Sequence, residues 1–270
     1  MSQQVTRFVL GLEYDGSGFS GWQRQGDNAP ITVQQTVEEG LSKIAGDEIV
    51  TVCAGRTDAG VHATQQVVHF DCFVDRGAKA WTVGVNSQLP RSIRILWVRT
   101  VNNDFSARFS AVARRYMYVI RNRDVSSAFL NGKVTHISQE LDVEAMHEAA
   151  QALVGEHDFT SFRAAGCQSK SPNRNVKRVS VIRYADYVVI TVVANAFLQH
   201  MVRNIVGTLI SVGSGDCPIS WVKVVLDQRD RTKAGITSPP HGLYLTGVSY
   251  SAECALPALP SAPPVLAGFI

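Results

Sequence analysis

The chain has 270 residues, with 26 basic and 23 acidic side chains and a formal net charge of +3. Hydrophobic residues make up 45% and charged residues 18%, which excludes disorder of the whole chain. A net charge this small does not by itself indicate a nucleic-acid partner, so that argument depends on where the charges lie.

The cellular location is predicted from patterns that the sequence lacks. No apolar run reaches the ~18 residues that a membrane span needs, and residues 1–4 lack the basic start of a secretory signal. The five cysteines form no C-x-x-C pair, so neither a disulfide framework nor a structural zinc site is expected. These features favour a cytoplasmic protein with reduced thiols and no membrane contact.

The first half of the chain alternates strand-like and helix-like patterns. An apolar stripe predicts a helix over 33–44, where the residues from Thr32 to Gln35 read as a capping box and Gly46 ends the helix. A second helical segment is expected at 78–89. β-Branched and aromatic runs predict strands at 7–14, 49–54, 66–73 and 93–101.

The second half repeats this plan loosely. Strands are predicted at 115–121, 176–183, 187–194 and 243–250, and helices at 143–153, 197–212 and 220–227. This mixture predicts an α+β fold with helices on one face of a mixed antiparallel sheet. The predicted division is an N-terminal half over 1–110, a C-terminal half over 111–252 and a proline-rich tail over 253–270, which is expected to be disordered.

Residues 16–21 match the dinucleotide-binding pattern G-x-G-x-x-G and follow a strand. That function also needs a helix that begins inside the glycines, and residues 22–27 do not read as a helix. We therefore interpret the segment as a polar loop that carries Trp22 and Arg24.

The strongest local signal is the loop 55–63, with the sequence Gly-Arg-Thr-Asp-Ala-Gly-Val-His-Ala. Glycine allows a sharp turn and a close approach of a ligand to the backbone, so Asp58 can present its carboxylate at the end of a sheet. A plain Asx turn explains the same residues about equally well.

A narrow polar stripe runs along the predicted helix 197–212. Gln199, Arg203 and Gly207 follow one another at intervals of four residues on an otherwise apolar segment, with His200 beside them. A buried arginine needs an acidic partner or an anionic ligand, so Arg203 is either a functional residue or half of a structural ion pair.

Two tyrosines share one face of the strand predicted at 115–121. Tyr116 and Tyr118 alternate with Arg115 and Met117, which face the other side. Tyr116 is either a site residue or a core aromatic whose hydroxyl is satisfied.

Basic charge is concentrated between positions 163 and 183, where six basic residues and no acidic one occur: Arg163, Lys170, Arg174, Lys177, Arg178 and Arg183. Such a cluster suits a phosphate backbone, and Arg24 could extend the same surface. A solvated basic face is the alternative interpretation.

In their order along the chain, these motifs resemble the TruA family of tRNA pseudouridine synthases over nearly all of residues 6–250. The stretches that carry the resemblance are 14–16, 21–23, 55–63, 115–118, 158–163, 200–207 and 242–245. The run at 55–63 is highly specific, whereas the tail beyond Ala252 has no counterpart.

The resemblance implies two ferredoxin-like (RRM-like) halves that share one continuous sheet, mixed and mainly antiparallel, with the active cleft between them. It implies conversion of uridine to pseudouridine in the anticodon stem-loop of tRNA, at positions 38–40. It also implies a homodimer that needs neither a metal nor an organic cofactor.

Site residues follow from the resemblance position by position. Asp58 matches the family's catalytic aspartate, and Arg203 matches the arginine that pairs with it. Tyr116 is similar to the tyrosine that packs on the target base, Arg56 to the arginine that helps to hold the flipped nucleotide, and Leu245 to the apolar residue under the base. Contacts to tRNA phosphates are expected from basic residues outside these positions: Arg24, Lys170, Arg174, Lys177 and Arg178.

Two other functions compete with this interpretation. A non-catalytic RNA-binding protein on the same scaffold would not need Asp58, Tyr116 and Arg203 together. A carboxylate-dependent hydrolase would need a second acidic residue, and Asp15 and Asp158 are candidates only for loop structure. An assay for free uracil separates hydrolysis from isomerisation, because isomerisation releases none.

Overall fold

The computed structural model describes residues 5–26, 29–257 and 262–269. The chain divides into two compact units: unit 1 comprises Met1–Val112 and Leu245–Ala262, and unit 2 comprises Ala113–Tyr244 and Pro263–Ile270. Unit 1 therefore includes residues 245–252, which the sequence assigned to the C-terminal half. The terminal residues 1–4, predicted to lack a signal, and the tail residues 258–261 and 270, predicted to be disordered, lie outside the described residues.

Strands and helices alternate along the described residues. The strands are β1 (Thr6–Tyr14), β2 (Val52–Cys53), β3 (His62–Cys72), β4 (Ile93–Val101), β5 (Ala113–Asn122), β6 (Thr135–Ile137), β7 (Gly155–Asp158), β8 (Asn173–Tyr184), β9 (Tyr187–Ala194) and β10 (Leu243–Ser249). The α-helices are α1 (Val33–Ala45), α2 (Val85–Gln88), α3 (Val143–Ala150), α4 (Met201–Gly213) and α5 (Trp221–Gln228).

Unit 1 is built on the antiparallel order β4-β1-β3, with the short β2 paired to β3. One face of this sheet packs on Trp81, which is fully buried and lies 5.4 Å from Phe8 and 5.2 Å from Phe70 between ring centroids. Because side chains alternate along a strand, Val9 faces the other side, where it packs with Trp97.

Helix α1 shows how local sequence sets its bounds. The hydroxyl of Thr32 accepts a hydrogen bond from the N–H of Gln35 at 3.3 Å, and Gly46 ends the helix in the left-handed conformation at φ 78°. Only half of the predicted capping box forms, because the Gln35 side chain donates to Glu39 instead of turning back to Thr32.

Unit 2 is built on the antiparallel order β5-β9-β8-β7, and β6 runs parallel to β5. Helix α3 packs on β8 and on α4. Met117 and Val119 form a buried apolar cluster with Tyr187 and Leu266.

The α+β class and the mixed, mainly antiparallel strand pairing are confirmed. Strands β4 and β9 have their predicted bounds. Within the described ranges, no helix has the length and apolar character to cross a membrane.

Of the strand predicted at 49–54, only the two residues of β2 form a strand in the structure. The reason is that two backbone N–H groups of this segment bond to side chains of α1 instead of a neighbouring strand. Ile49 donates to the Ser42 hydroxyl at 2.9 Å, and Thr51 donates to the buried carboxylate of Glu38 at 2.8 Å.

The prediction placed the start of the helix 197–212 four residues too early. Helix α4 begins at Met201, because His200 takes the left-handed conformation at φ 61° and interrupts the helical backbone. Gln199 therefore lies outside the helix, and the polar stripe predicted on it reduces to Arg203 and Gly207.

The tail, expected to be disordered over 253–270, is partly packed in its described residues. A short 3-10 turn forms at Pro264–Leu266, and Leu266 is fully buried in the apolar cluster of unit 2. The ring of Phe269 lies 5.7 Å from that of Tyr187. These apolar side chains pack against unit 2, and a proline-rich composition alone does not predict such packing.

Candidate active site

Asp58 lies in the loop that joins β2 to β3. Its backbone carbonyl accepts the N–H of Val61 at 3.1 Å, and Gly60 has φ 77°, so the chain turns sharply just after the aspartate. Asp58 is half-buried, and Arg56, two residues earlier, is exposed. The loop thus carries a carboxylate and a guanidinium two positions apart on one short turn.

Buried contacts within unit 1 hold this turn in place. The hydroxyls of Tyr14 and Thr57 are 2.8 Å apart, and the N–H of Trp22 donates to the carbonyl of Thr57 at 2.9 Å. On the other side, the Gln66 amide donates to the carbonyl of Gly55 at 2.6 Å. Burial raises the pKa of Tyr14 above its ordinary value, so its phenol stays protonated and available for this contact.

The glycines of residues 16–21 have a packing role. A Cβ on Gly16 would lie 2.0 Å from the carbonyl oxygen of Val61, and one on Gly21 would lie 2.8 Å from that of Thr57. The N–H of Gly16 also donates to Nδ1 of the buried His62 at 3.0 Å. These residues bring the backbone of the first loop against the loop of Asp58, which explains a glycine-rich segment that forms one 3-10 turn and begins no α-helix.

Arg24 leaves the same glycine-rich loop. Its guanidinium lies 3.8 Å from the carboxylate of Glu38, and its side chain remains 52% exposed. The Glu38 carboxylate is itself buried and accepts hydrogen bonds from Gln34 and Thr51. Arg24 therefore has a structural ion pair and an accessible face at once.

Tyr116 lies in β5 opposite Val192 of β9 and is 6% exposed. Its ring meets the ring of Phe197 edge to face, with centroids 4.9 Å apart and planes at 81°. Phe197 belongs to the segment between β9 and α4, and the sequence did not single it out as a site residue. Its only signal is an aromatic residue four positions before the helix.

Arg203 lies in the first turn of α4 and is half-buried. Its Nε donates to the carbonyl of Ser238 at 2.7 Å, and the N–H of Ser238 donates back to the carbonyl of Arg203 at 3.2 Å. This reciprocal pair fixes the stem of the guanidinium within unit 2. The sequence gives no sign of it, because the two residues are 35 positions apart.

Tyr118 anchors the same region from β5. Its hydroxyl donates to the carbonyl of Pro239 at 2.9 Å and lies 2.6 Å from the hydroxyl of Thr135. Burial raises the pKa of Tyr118 to about 12, with opposing effects from Thr135, Ser238 and Arg203. Burial and the charge of Arg203 lower the pKa of His241, which favours its neutral form.

The basic residues predicted to bind phosphates separate into two groups within unit 2. Arg174 is half-buried, and its guanidinium donates to the carbonyls of Ser171 and Asn173 and to the hydroxyl of Ser169. Lys170 is exposed on the same loop. Arg174 thus serves largely to shape its own loop.

Lys177 and Arg178 are both exposed, because a β-bulge interrupts the pairing of β8 with β9 between Val176 and Arg178. Arg115 of β5 and Arg178 of β8 both lie opposite Val193, which puts the two guanidinium groups on one face of the sheet. Burial lowers the pKa of Arg115, and repulsion from Arg178 lowers it further. Positive charge is therefore concentrated on this face.

Leu245 lies in β10 and is fully buried. In the part of the chain that the structure describes, no group of three or more His, Cys, Asp or Glu side chains is placed to hold a metal ion. The predicted residues are divided between the units, with Asp58, Arg56, Arg24 and Leu245 in unit 1 and the others in unit 2.

Comparison with known proteins identifies the family. Residues 12–110 and 149–251 match the family model described as tRNA pseudouridine synthase. The chain belongs to the tRNA pseudouridine synthase family. It is an enzyme of that class, and the resemblance carried by the motifs is confirmed.

Individual relatives share about half of their residues with the chain. It is 56% identical over 97% of its length to tRNA pseudouridine synthase A of Pseudoalteromonas atlantica and covers 98% of that protein. tRNA pseudouridine synthase A of Shewanella amazonensis is 54% identical, and the match covers 95% of this chain and 98% of that protein. The protein of the same name from Klebsiella pneumoniae is 53% identical, and the match covers 98% of this chain and 97% of that protein. A chain of the solved Cbf5-Nop10-Gar1 complex is 13% identical in sequence, and the match covers 88% of this chain and 48% of that chain. Its TM-score is 0.33, which is too low to support a conclusion about the fold.

Proposed function

We propose that this enzyme isomerises uridine to pseudouridine in the anticodon stem-loop of tRNA, at positions 38–40, without a metal or an organic cofactor. The observation that carries the proposal is the loop of Asp58, whose sequence is the most specific family motif and whose turn is held by Tyr14, Trp22 and Gln66. Relatives with 51–56% identity are named tRNA pseudouridine synthase A.

The chemistry requires one bond to break and another to form. The bond from ribose C1′ to uracil N1 breaks, the base turns, C5 joins C1′, the proton on C5 leaves and N1 gains a proton. A carboxylate can act on the sugar as a nucleophile or as a base, and it can stabilise positive charge on the ribose. Asp58 is the carboxylate that we assign to this step.

The other residues bind and orient the base. Tyr116 would pack on it and offset part of the few kcal/mol that flipping costs, at about 1–3 kcal/mol per stacked base. Its phenol is also an acid–base group that could help to remove the C5 proton. Arg203 would pair with Asp58, Arg56 would hold the flipped nucleotide, and Leu245 would lie under the base.

Binding of the tRNA itself would depend on phosphate contacts and on shape. We assign these contacts to exposed or partly exposed basic side chains: Arg24, Lys170, Arg174, Lys177 and Arg178. By analogy with the family, we further propose that the enzyme acts as a homodimer in the cytoplasm.

The test follows the proton that leaves C5. Unmodified tRNA with tritium at uridine C5 is incubated with the wild type, with Asp58→Asn and with the control Asp75→Asn. Asp75 is an exposed loop aspartate whose carboxylate accepts the N–H of Gly77 at 2.7 Å, a role that an asparagine can take over. Tritium release by the wild type and Asp75→Asn, with none by Asp58→Asn despite retained tRNA binding, is expected.

Other outcomes assign the chain to a different function. Equal release by wild type and Asp58→Asn would show that this carboxylate is not the catalyst. Binding without release by any variant would favour the RNA-binding protein, and free uracil would indicate the hydrolase. Mapping pseudouridine in the product tests the assignment to positions 38–40.

A further inference from the structure

The segment 231–239, which precedes β10, lies along one side of α4. We call it the α4 clasp. Its Ser238 carbonyl accepts a hydrogen bond from Nε of Arg203, and its Pro239 carbonyl accepts one from the hydroxyl of Tyr118. One short segment thus accepts hydrogen bonds from both a helix and a strand of unit 2.

Two glycines bring the clasp into backbone contact with the helix. A Cβ on Gly207 would lie 1.7 Å from the carbonyl oxygen of Ile236, and one on Gly235 would lie 2.7 Å from the backbone of Gly207 and Thr208. The N–H of Gly235 also donates to the hydroxyl of Thr208 at 3.1 Å. A contact this close fixes the distance between the clasp and the helix axis.

Three side chains lock the clasp along the helix. Asn204, fully buried and next to Arg203, accepts the hydroxyl of Thr237 at 2.7 Å and Nη2 of Arg231 at 3.0 Å through the same oxygen. Nη2 of Arg231 also donates to the Thr237 hydroxyl at 2.8 Å, which closes a three-membered network. The amide nitrogen of Asn204 donates to the carbonyl of Phe162 at 2.8 Å and is thereby held from the opposite side.

We propose that the clasp is a positioning element for Arg203 and that Thr237, Asn204 and Arg231 are positioning residues. This inference rests on the role assigned to Arg203 under the proposed function. Thr237 precedes Ser238, so the network fixes the carbonyl that receives Nε.

The physical reason lies in the arginine side chain. A free arginine side chain samples many rotamers, and a hydrogen bond through Nε fixes the plane in which the guanidinium presents its Nη groups. A catalytic group displaced by about 1 Å can lose about 100-fold in rate. Holding the carbonyl of Ser238 therefore holds the direction in which Arg203 presents its charge.

The experiment removes one hydroxyl from the network. Thr237→Val keeps the shape of the side chain, Thr237→Ser restores the hydroxyl, and Thr232→Val is the matched control. Thr232 lies in the same segment, but its hydroxyl bonds to Asp230 at 2.8 Å and its side chain is exposed. For each variant, kcat and KM for tRNA are measured alongside urea unfolding.

Thr237→Val is expected to lower kcat by about tenfold with little change in KM, whereas Thr237→Ser and Thr232→Val retain wild-type kcat. The same change made on top of Arg203→Lys should have little further effect on kcat, because lysine has no Nε–H for Ser238 to hold. A general loss of packing would instead lower kcat by the same factor in both backgrounds.

The two proposals fail in different ways. An unchanged kcat for Thr237→Val, or equal losses with and without Arg203→Lys, overturns the role of the clasp. Full activity of Arg203→Lys overturns the role assigned to Arg203 itself, whatever Thr237→Val does.

Discussion

A single buried hydroxyl connects the first strand to the loop of Asp58. Tyr14 ends β1, and its phenol lies 2.8 Å from the hydroxyl of Thr57, the residue before Asp58. Both hydroxyls are buried, so if one is removed, bulk water cannot take its place as the hydrogen-bond partner of the other without a cost in free energy. The position of the carboxylate therefore depends on a residue 43 positions away from Thr57.

The matching variant is Tyr14→Phe. It should lower the free energy of unfolding by about 1 kcal/mol, the typical net contribution of one hydrogen bond, and it should also lower kcat because the turn at Asp58 loses an anchor. Urea unfolding and the tritium-release assay measure the two effects.

The control is Tyr250→Phe in the same unit. The hydroxyl of Tyr250 donates to the carbonyl of Ala107 at 2.7 Å, away from the loop 55–63 in sequence and in hydrogen bonding. We expect a similar loss of stability with an unchanged kcat. If Tyr14→Phe also keeps its full kcat, the hydroxyl stabilises the fold without positioning Asp58.

At the scale of elements, α4 carries a glycine where helix propensity alone would favour alanine. Replacing glycine by alanine inside a helix normally stabilises it by about 1 kcal/mol. At Gly207 the new Cβ would lie 1.7 Å from the carbonyl oxygen of Ile236. Either the helix or the α4 clasp must then move.

Gly207→Ala should therefore reverse the usual sign, with a net loss of about 1–3 kcal/mol in the free energy of unfolding. Gly18→Ala serves as the control, because a Cβ at that position would have nothing within 4 Å and its effect should stay within about 0.5 kcal/mol. A stabilised Gly207→Ala protein would show that the clasp does not touch the helix in solution.

The same helix shows how far the sequence predicts the elements. Apolar spacing located the body of α4, and strands β4 and β9 were predicted to the residue because their apolar and β-branched runs have clear ends. Phe197 and Leu198 continue the apolar pattern, so nothing in it marks the left-handed turn at His200. The short β6 and β7 carry too few residues to produce a period, and neither was predicted.

The candidate site was predictable to a similar extent. Asp58, Tyr116 and Arg203 lie in motifs that are recognisable in the sequence, and the comparisons confirm the family. Tyr14 and Trp22, which hold the loop of Asp58, also lie in such motifs, but Gln66 and Ser238 do not. Ser238 contacts Arg203 across 35 positions and through a backbone carbonyl, which any residue type could supply. Such a contact leaves no mark on composition or periodicity.

At the scale of the whole molecule, a net charge of +3 conceals an uneven distribution. In a regular strand, one of two consecutive side chains would face the other side of the sheet. The bulge in β8 lets both Lys177 and Arg178 reach solvent, on a sheet that also carries Arg115. We expect this part of unit 2 to contribute more to tRNA binding than Arg174, whose guanidinium already bonds to its own loop.

The corresponding test is the double variant Lys177→Gln and Arg178→Gln, compared with Lys43→Gln and Lys79→Gln, two exposed lysines of unit 1. Both pairs remove the same charge, so a change caused only by net charge would be equal in the two. Each lost phosphate contact should reduce the slope of log binding constant against log salt by about 0.7–0.9. We therefore expect a clearly flatter salt dependence for the first pair only. Equal slopes for both pairs would mean that tRNA binding depends on the overall charge of the molecule. The assignment of Lys177 and Arg178 to the binding surface would then be wrong.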